Sequence, residues 1–447
     1  MDTGEISAEN KMGIMQIDKL LISMSAPMMV SMLVQALYNI VDSIFVAKIS
    51  EAALTAVSLC FPIQNFMIAV LVGTNVGVNS ILSRRLGEKN QKEVDKIANV
   101  AIFLAICSGI IFMMIGFFGT ESFFAGQNTS DEIKNYGMQY MRIVCIYSMP
   151  LSLLICFEKM LSSTGRTVYN MITQMTGAII NIILDPIFIF VLNMGVEGAA
   201  IATVLGQFGG LIVGIYLNIT KNDDVHLNVR KIRPDFKIIK SIFSVGLPSI
   251  VMQSIGSFTI FVMNNILMTF STTAIAFFGV YFKLQTFIIL PMVGLANGLI
   301  PIVAYNYGAR KKDRVISAMK RSFKYSAIMM IIGILIMQLF PANLLKLFDA
   351  SDMMIDLGVK AIRIICFAYV FASMSIIMSS VFQALGSGVT SMVVSLTRQV
   401  IFLLPLAYFF SLQKNINMVW ASFIISEAVA FVMCVMFSRV ILKRLDF

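Results

Sequence analysis

Long apolar stretches, separated by short polar segments, run along the whole of this 447-residue chain. A helix needs about 20 consecutive apolar residues to cross a bilayer whose hydrocarbon core is about 30 Å thick. Twelve stretches reach that length, at residues 20–46, 54–82, 97–118, 137–160, 167–193, 196–219, 239–270, 274–302, 320–340, 360–383, 390–412 and 416–439. The pattern therefore predicts an all-α membrane protein with twelve transmembrane helices.

The composition agrees with this prediction and excludes a soluble protein of the same length. Hydrophobic residues make up 58% of the chain and charged residues 13%, whereas soluble domains contain about 25% charged residues. A net charge of +10 would suit nucleic-acid binding in a soluble protein, but in a membrane protein basic residues concentrate in cytoplasmic loops. We therefore expect a lipid bilayer, and no nucleic acid, as the macromolecular environment.

The distribution of lysine and arginine predicts the orientation. Most of them lie in loops on the same side of the membrane as the N-terminus, at residues 84–96, 221–240 and 310–324. Because cytoplasmic loops are enriched in Lys and Arg, both termini are expected in the cytoplasm. The polar N-terminal segment is unlike a cleaved signal peptide.

The chain also repeats itself after about half its length. The segment SAPMMVSMLVQ returns as VGLPSIVMQSI, so that Pro27 corresponds to Pro248, 221 residues later. The same offset relates RIVCI (142–146) to RIICF (363–367). Six spans per repeat bring both copies into the membrane from the same side, which predicts two pseudo-symmetric six-helix bundles around a central cleft. The predicted boundaries are an N-terminal lobe at 1–219, a linker at 220–238 and a C-terminal lobe at 239–447.

Ionisable side chains inside a membrane span are costly, and they are functional candidates for that reason. Those well inside the predicted spans are Asp42, Glu158, Asp185, Lys283, Arg398 and Glu427, and Arg142 and Arg363 lie a little deeper than their interfaces. Polar stripes accompany them on three spans of the first half. The stripes comprise Ser31, Gln35, Tyr38, Asn39 and Asp42 on span one, Gln174, Asn181 and Asp185 on span five, and Thr203 and Gln207 on span six.

Four of these residues are predicted to lie at one depth in the membrane. Counting inward from the outer span ends brings Asp42, Asp185 and Thr203 to a similar level, and Asn181 lies one turn from Asp185. Two carboxylates, an amide and a hydroxyl form a set of hard oxygen ligands that suits Na⁺ or a shared proton. The alternative is that each acid only pairs with a neighbouring hydroxyl or amide for packing. Burying two acids without a basic partner is expensive, which favours the functional interpretation.

The repeat adds an asymmetry to this prediction. The residue that corresponds to Asp42 in the second half is Met263, and Asp185 falls against apolar residues near Pro405, such as Leu404. The predicted cation site is therefore confined to the N-terminal lobe. A pseudo-symmetric scaffold that needed these acids for folding alone would be expected to carry them twice.

The remaining polar side chains are candidates for lining a substrate cavity. They are Gln35, Tyr38, Asn39, Glu158, Gln174 and Gln207. A structural role is expected for Lys283 and Arg398, each of which could neutralise backbone carbonyl groups or Glu427. The six cysteines lie in apolar runs, the single histidine, His226, lies in a polar loop, and no phosphate-binding loop motif occurs. The sequence thus predicts no catalytic residues, no cofactor and no metal beyond a possible Na⁺.

These residues resemble the MATE (multidrug and toxic compound extrusion) family. The resemblance rests on PMMVSMLVQALYNIVDSIFVAKI, NIILDPIFIF, GVEGAAIATVLGQ and, in the second half, FGVYFKLQTFIILPMVGLANGLIPIVAYNYGA, and it covers essentially the whole chain. It implies secondary active efflux of varied cationic drugs or dyes in exchange for H⁺ or Na⁺, by alternating access, in the plasma membrane of a bacterium. It also implies a cation site at Asp42, Asn181, Asp185 and Thr203. We expect the protein to act as a monomer.

Three other functions compete with this interpretation. A lipid-linked oligosaccharide flippase would share the architecture, but its anionic cargo calls for a strongly basic cavity, and the spans contain few basic residues. A membrane enzyme would need a nucleophile, a metal cluster or paired acids at an interface, and none is evident. A channel is less compatible with a parallel repeat that carries an ion site in one half only.

Overall fold

The computed structural model describes residues 9–127, 129–348 and 350–443. Within them, ten helices are long and apolar enough to cross a membrane, and two further spans are bent pairs of helices. Counting each pair as one span, we number them α1 (Ile17–Ala47), α2 (Glu51–Gly87), α3 (Gln91–Ala125), α4 (Asp131–Ile146 and Ser148–Ser163), α5 (Thr167–Val191), α6 (Gly195–Lys221), α7 (Phe236–Met268), α8 (Thr272–Gly308), α9 (Lys312–Leu339), α10 (Asp352–Ile365 and Ala368–Ala384), α11 (Gly388–Leu412) and α12 (Ile416–Leu442). The predicted twelve-helix, all-α fold is confirmed.

The helices extend beyond the predicted apolar stretches, because helix ends are determined by caps in the water-facing layer. The start of α2 is an example: the Ser50 hydroxyl accepts a hydrogen bond from the backbone N–H of Ala53 at 3.0 Å, which satisfies one of the unpaired donors of the first turn. Ser271 caps α8 in the same way, through Ala274 at 3.1 Å.

The sequence pattern did not predict the bends in α4 and α10. The two segments of α4 meet at 48° and those of α10 at 50°. Pro150 lies in the first turn of the second segment of α4, and its missing N–H removes a hydrogen bond that a straight helix would need. The bend of α10 lies at the corresponding place without a proline.

The two six-helix bundles repeat each other with the offset seen in the sequence. Both ends of α2, α5 and α6 recur 221 residues later as the ends of α8, α11 and α12. The repeat extends to backbone detail in the loops. The left-handed residues Lys89, Gly165 and Asn193 correspond to Arg310, Gly386 and Lys414 at that same offset. We call α1–α6 the N-lobe and α7–α12 the C-lobe.

The lobes contact each other on the side of the membrane from which α1 begins, here called the terminal side. There α2 and α8 cross so closely that a Cβ atom on Gly87 would lie 2.0 Å from the carbonyl oxygen of Tyr305. A Cβ atom on Gly308 would lie 2.1 Å from the carbonyl oxygen of Arg84. Only glycine allows backbones to approach so closely, and the crossing seals this end of the interface.

The segment before α1 joins the two lobes at the same end. Asn10 donates a hydrogen bond to the carbonyl oxygen of Thr164 in the N-lobe at 3.0 Å. From the C-lobe, Asn306 and Arg314 donate to the carbonyl oxygen of Met12 at 2.9 and 3.0 Å. Met12 itself is fully buried. The segment therefore ties both lobes together and has to release one of them if the terminal side opens.

A cleft opens between the lobes on the opposite side, here called the far side. Near the terminal side, α1 packs on α8 through Ser25, which bonds the carbonyl oxygen of Leu295, and through Met32. Asn39 lies two turns beyond Met32 on the same face of α1 and is exposed. Lys283, three turns from Gly294 on the matching face of α8, is exposed as well. The faces of α1 and α8 that pack against each other near the terminal side thus line the cleft nearer the far side.

Candidate functional site

Four of the predicted residues form one polar cluster inside the N-lobe. The carboxyl groups of Asp42 on α1 and Asp185 on α5 lie within hydrogen-bonding distance of each other. The side-chain amide of Asn181 donates to Asp185 Oδ1 at 3.2 Å and to Thr203 Oγ1 at 3.3 Å. Three helices therefore contribute to a single cluster, which we call the acid cluster.

A close crossing of α5 and α6 allows such short side chains to meet. A Cβ atom on Gly206 would lie 2.7 Å from the carbonyl oxygen of Gly177, so the two backbones are in contact at this level. One turn farther, Asn181 reaches across to α6. Beyond the cluster, Pro186 is followed by a π-helical turn at Ile187–Val191, a widened backbone that is frequent at functional sites.

Several oxygen atoms in the acid cluster have no hydrogen-bond donor among the described residues. They are Asp42 Oδ1, Asp185 Oδ2 and Asn181 Oδ1, all removed from solvent. Asp185 is fully buried and Asn181 is 3% exposed. Two carboxylates within hydrogen-bonding distance of each other, as in Asp42 and Asp185, repel each other unless a proton or a cation lies between them. The cluster thus has the chemistry of a site for a proton or a small monovalent cation.

Two residues near the acid cluster were missed by the sequence analysis. Tyr140, on the first segment of α4, is buried and interacts electrostatically with both Asp42 and Tyr38. The side-chain amide of Gln64 on α2 donates to the Tyr140 hydroxyl at 3.3 Å. This polar pair therefore lies near the Asp42 side of the cluster. Gln64 recurs in the repeat as Gln285, and this recurrence was the one sequence feature that could have pointed to Gln64. Nothing in the sequence indicated that Tyr140 lies near span one.

Glu158 and Gln174 form a separate polar contact nearer the terminal side. Gln174 donates to Glu158 Oε2 at 3.2 Å, and Glu158 is 6% exposed. On α5, Gln174 precedes Asp185 by eleven residues, about 16 Å along the helix axis. The N-lobe therefore contains two polar centres at different depths.

The other predicted lining residues lie near the acid cluster or face the cleft. Tyr38 interacts electrostatically with Asp42 and Asp185. Gln35 and Asn39 are exposed on α1, and Gln207 is half-buried on α6, one turn from Thr203. These four residues (35, 38, 39 and 207), together with Glu158 and Gln174, are the six lining residues predicted from the sequence.

The C-lobe contains an ion pair at the place where the N-lobe has its glycine crossing, although Glu427 Oε2 has no hydrogen-bond partner among the described residues. Arg398 Nη1 donates to Glu427 Oε1 at 2.8 Å, and these residues correspond to Gly177 and Gly206. The structural role expected for Arg398 thus has a partner in Glu427. Met263, which corresponds to Asp42, is fully buried in an apolar cluster. Within the described residues, no three or more His, Cys, Asp or Glu side chains come together as a metal site.

A family model described as MatE matches two segments of this chain, residues 27–187 and 248–409. The two matched segments follow the internal repeat and together cover most of the chain. This chain belongs to the MatE family. The family predicted from the sequence is thereby confirmed, and the protein is a multi-pass membrane transporter of the MATE fold.

Curated relatives in the MATE family match along almost their full length. The multidrug export protein MepA of Staphylococcus haemolyticus (strain JCSC1435) is 26% identical over 415 residues, which is 92% of this chain and 91% of the relative. MepA of Staphylococcus aureus (strain NCTC 8325 / PS 47) is 24% identical over 421 residues, with the same coverage of both chains.

Solved MATE structures superimpose on the whole fold. An outward-facing multidrug resistance MATE transporter of the MOP superfamily has a TM-score of 0.93 at 26% identity, with 98% of this chain and 99% of the other covered. A MOP superfamily transporter from Pyrococcus furiosus, described as having a binding pocket of reverse polarity, has a TM-score of 0.92 at 26% identity, with 99% of both chains covered.

Proposed function

We propose that this MATE transporter is a multidrug efflux antiporter. It exports organic cations across a bacterial plasma membrane in exchange for H⁺ or Na⁺, acts as a monomer, and has both termini in the cytoplasm. The observation that carries the proposal is the contact between Asp42 and Asp185, with carboxyl and amide oxygens that lack donors among the described residues. The relatives named multidrug export protein support the choice of cargo.

The acid cluster is the proposed coupling site. A proton or Na⁺ that enters from the far side takes its place between the two carboxyls, with Asn181 and Thr203 as further oxygen ligands. It removes the repulsion between Asp42 and Asp185, so that α1 moves toward α5. The ion drives transport only if it binds one conformation better than the other, and we propose that the distance between the two carboxyls is what differs between the conformations.

Helix α1 connects the coupling site with the cleft. One of its faces carries Asp42 and Tyr38, and the neighbouring face carries Asn39, which is exposed toward the cleft. A shift of α1 on ion binding therefore changes the cleft wall, and the cargo loses contacts and leaves on the far side. The lobes then close there, and the contacts of Met12 and of the α2–α8 crossing separate on the terminal side.

The flippase remains the second candidate, because Lys283 contributes a cation to the cleft face of α8. A single lysine is a small charge for a pyrophosphate-linked cargo, which is why we favour organic cations. The two functions differ in the sign of the transported charge and in their dependence on an ion gradient.

Proteoliposomes with separately imposed Na⁺ and pH gradients test the proposal. Ethidium should leave the vesicle interior when one of the two gradients is applied, and it should stay when neither is. If ethidium never moves under either gradient while a lipid-linked sugar pyrophosphate does, the efflux function is wrong and the flippase is correct. Ethidium movement that ignores both gradients would contradict antiport.

A further inference from the structure

An apolar groove runs along the outside of the C-lobe at the terminal side. It lies between α9, α10 and α12 and has a volume of about 280 Å³. Its walls include Met319, Phe323, Met378, Phe431 and Ser438, with Lys320 at the edge. Lys320 is exposed, and none of the ion pairs formed by the described residues involves it.

From the positions of its residues along α9 and α12, we place the groove at the depth where lipid phosphates meet acyl chains. Lys320 is eight residues from the start of α9, about 12 Å along the axis, and Ser438 lies one turn before the end of α12 at Leu442. Lysines at this level extend their amines into the headgroup layer while their methylenes stay against apolar surface.

The corresponding surface of the N-lobe is covered by the linker between α6 and α7. Val225 is 5% exposed there and packs against the core of the lobe. The backbone N–H of His226 donates to Asp95 Oδ1 at 2.9 Å, and that of Asn228 donates to Asn99 Oδ1 at 3.3 Å. On the N-lobe, the Val225 side chain thus covers the surface that corresponds to the groove. At the edge of this surface, Asp95 and Asn99 accept hydrogen bonds from peptide N–H groups of the linker.

The edge of the C-lobe groove has the opposite chemistry. The positions that correspond to Asp95 and Asn99 are Ile316 and Lys320, 221 residues later, and both line the groove. Neither offers an acceptor to a peptide N–H group, and Lys320 instead recognises an anion. An occupant that complements this groove has an apolar body and one negative charge at the headgroup level.

We propose that the C-lobe groove binds an anionic phospholipid, with its phosphate at Lys320 and an acyl chain along Met378 and Phe431. Basic pockets between transmembrane helices bind anionic headgroups elsewhere by the same charge complementarity. The proposal does not depend on the transported cargo or on the coupling ion, because it concerns the outer surface of the C-lobe.

Native mass spectrometry of the full chain from nanodiscs of phosphatidylcholine and phosphatidylglycerol tests the site. The wild-type protein should retain one tightly held phosphatidylglycerol through detergent exchange. Lys320→Gln should lower that retention about fivefold, the value of one lysine near an anionic headgroup. Lys324→Gln is the matched control, because Lys324 lies one turn farther along α9 and does not line the groove; it should behave as wild type.

A second pair of variants tests the apolar part of the site. Ser438→Trp fills the groove and should abolish the retained lipid, whereas Met436→Trp, on the exposed face of α12, should leave it. Equal retention by Lys320→Gln and wild type would overturn the proposal. So would undiminished retention by Ser438→Trp, which would show that the lipid binds elsewhere.

Discussion

The two lobes share one scaffold but differ where α5 crosses α6 and α11 crosses α12. In the N-lobe the crossing is a backbone contact between Gly177 and Gly206, with the acid cluster one turn away. In the C-lobe the corresponding positions hold Arg398 and Glu427 as an ion pair. The C-lobe forms the same six-helix bundle without an acid at the position of Asp42. The fold therefore does not require the acid cluster, and the proposed ion coupling would account for the two acids that the cluster brings together.

Neutralising the acid cluster is expected to have the largest effect. Asp185→Asn removes a carboxyl that has to alternate between charged and neutral or ion-bound states, so gradient-driven ethidium efflux from proteoliposomes should fall to the rate of empty vesicles. Thermal unfolding should stay unchanged, because the amide preserves the shape. Glu121→Gln, which removes an exposed N-lobe acid paired with Arg142, is the control and should transport normally. Normal efflux by Asp185→Asn would contradict the coupling role.

The C-lobe ion pair is expected to affect stability rather than coupling. Glu427→Ala leaves Arg398 without its partner inside the lobe and should lower the free energy of unfolding by about 3 kcal/mol. Replacing both residues, as Arg398→Met with Glu427→Leu, should recover stability to within about 1 kcal/mol of wild type. Unfolding in sodium dodecyl sulfate measures both changes. A double variant that loses gradient-driven efflux while staying folded would show that the C-lobe pair takes part in transport.

The glycine crossing gives a third, smaller effect. In Gly206→Ala the added Cβ would lie 2.7 Å from the carbonyl oxygen of Gly177, so α5 and α6 have to separate, at a cost of about 2 kcal/mol. Gly256→Ala in α7 is the matched control, because nothing lies within 4 Å of its Cβ; it should stabilise the helix by about 0.5 kcal/mol. Equal unfolding free energies for the two variants would refute the packing argument.

The smallest effect is expected where the N-terminal segment ties the lobes together. Lys311 donates a hydrogen bond to Glu9 and holds the pKa of that carboxyl below its ordinary value of 4.5. The contact therefore contributes fully above pH 4.5 and is lost as the pH falls through the lowered pKa. When the pH is lowered from 7 to below the pKa of Glu9, the fraction of molecules open on the terminal side should rise by about twofold. The effect is small because exposed ion pairs contribute little stability.

Electron paramagnetic resonance distances between labels at Lys92 and Asp313 would measure that opening. These exposed positions correspond in the two lobes and lie on the terminal side. In Glu9→Gln the ion pair is absent at every pH, so the open population should already be raised at pH 7. Its remaining pH dependence should be smaller than that of wild type. Identical pH profiles for the two proteins would exclude Glu9 as the titrating group.

The members of the acid cluster were partly accessible to sequence reasoning. Counting residues inward from the span ends brought Asp42, Asp185 and Thr203 to one level, because helical rise per residue is constant. Tyr140 escaped the count, since its position relative to α1 depends on the 48° bend of α4. The sequence left open which group Arg398 contacts. Arg398 pairs with Glu427 because α11 and α12 cross at these two residues.

The sequence alone determined the twelve spans, the repeat and the family. The length of apolar stretches, the repeat offset and the sequence motifs can all be read along the chain without knowing how the helices pack. Only the tertiary structure decided that two acids from α1 and α5 meet, that Glu158 lies in a separate polar centre, and that one lobe keeps an uncovered groove. Each of these depends on how closely helices distant in sequence approach each other, and that distance is set by the side chains packed between them.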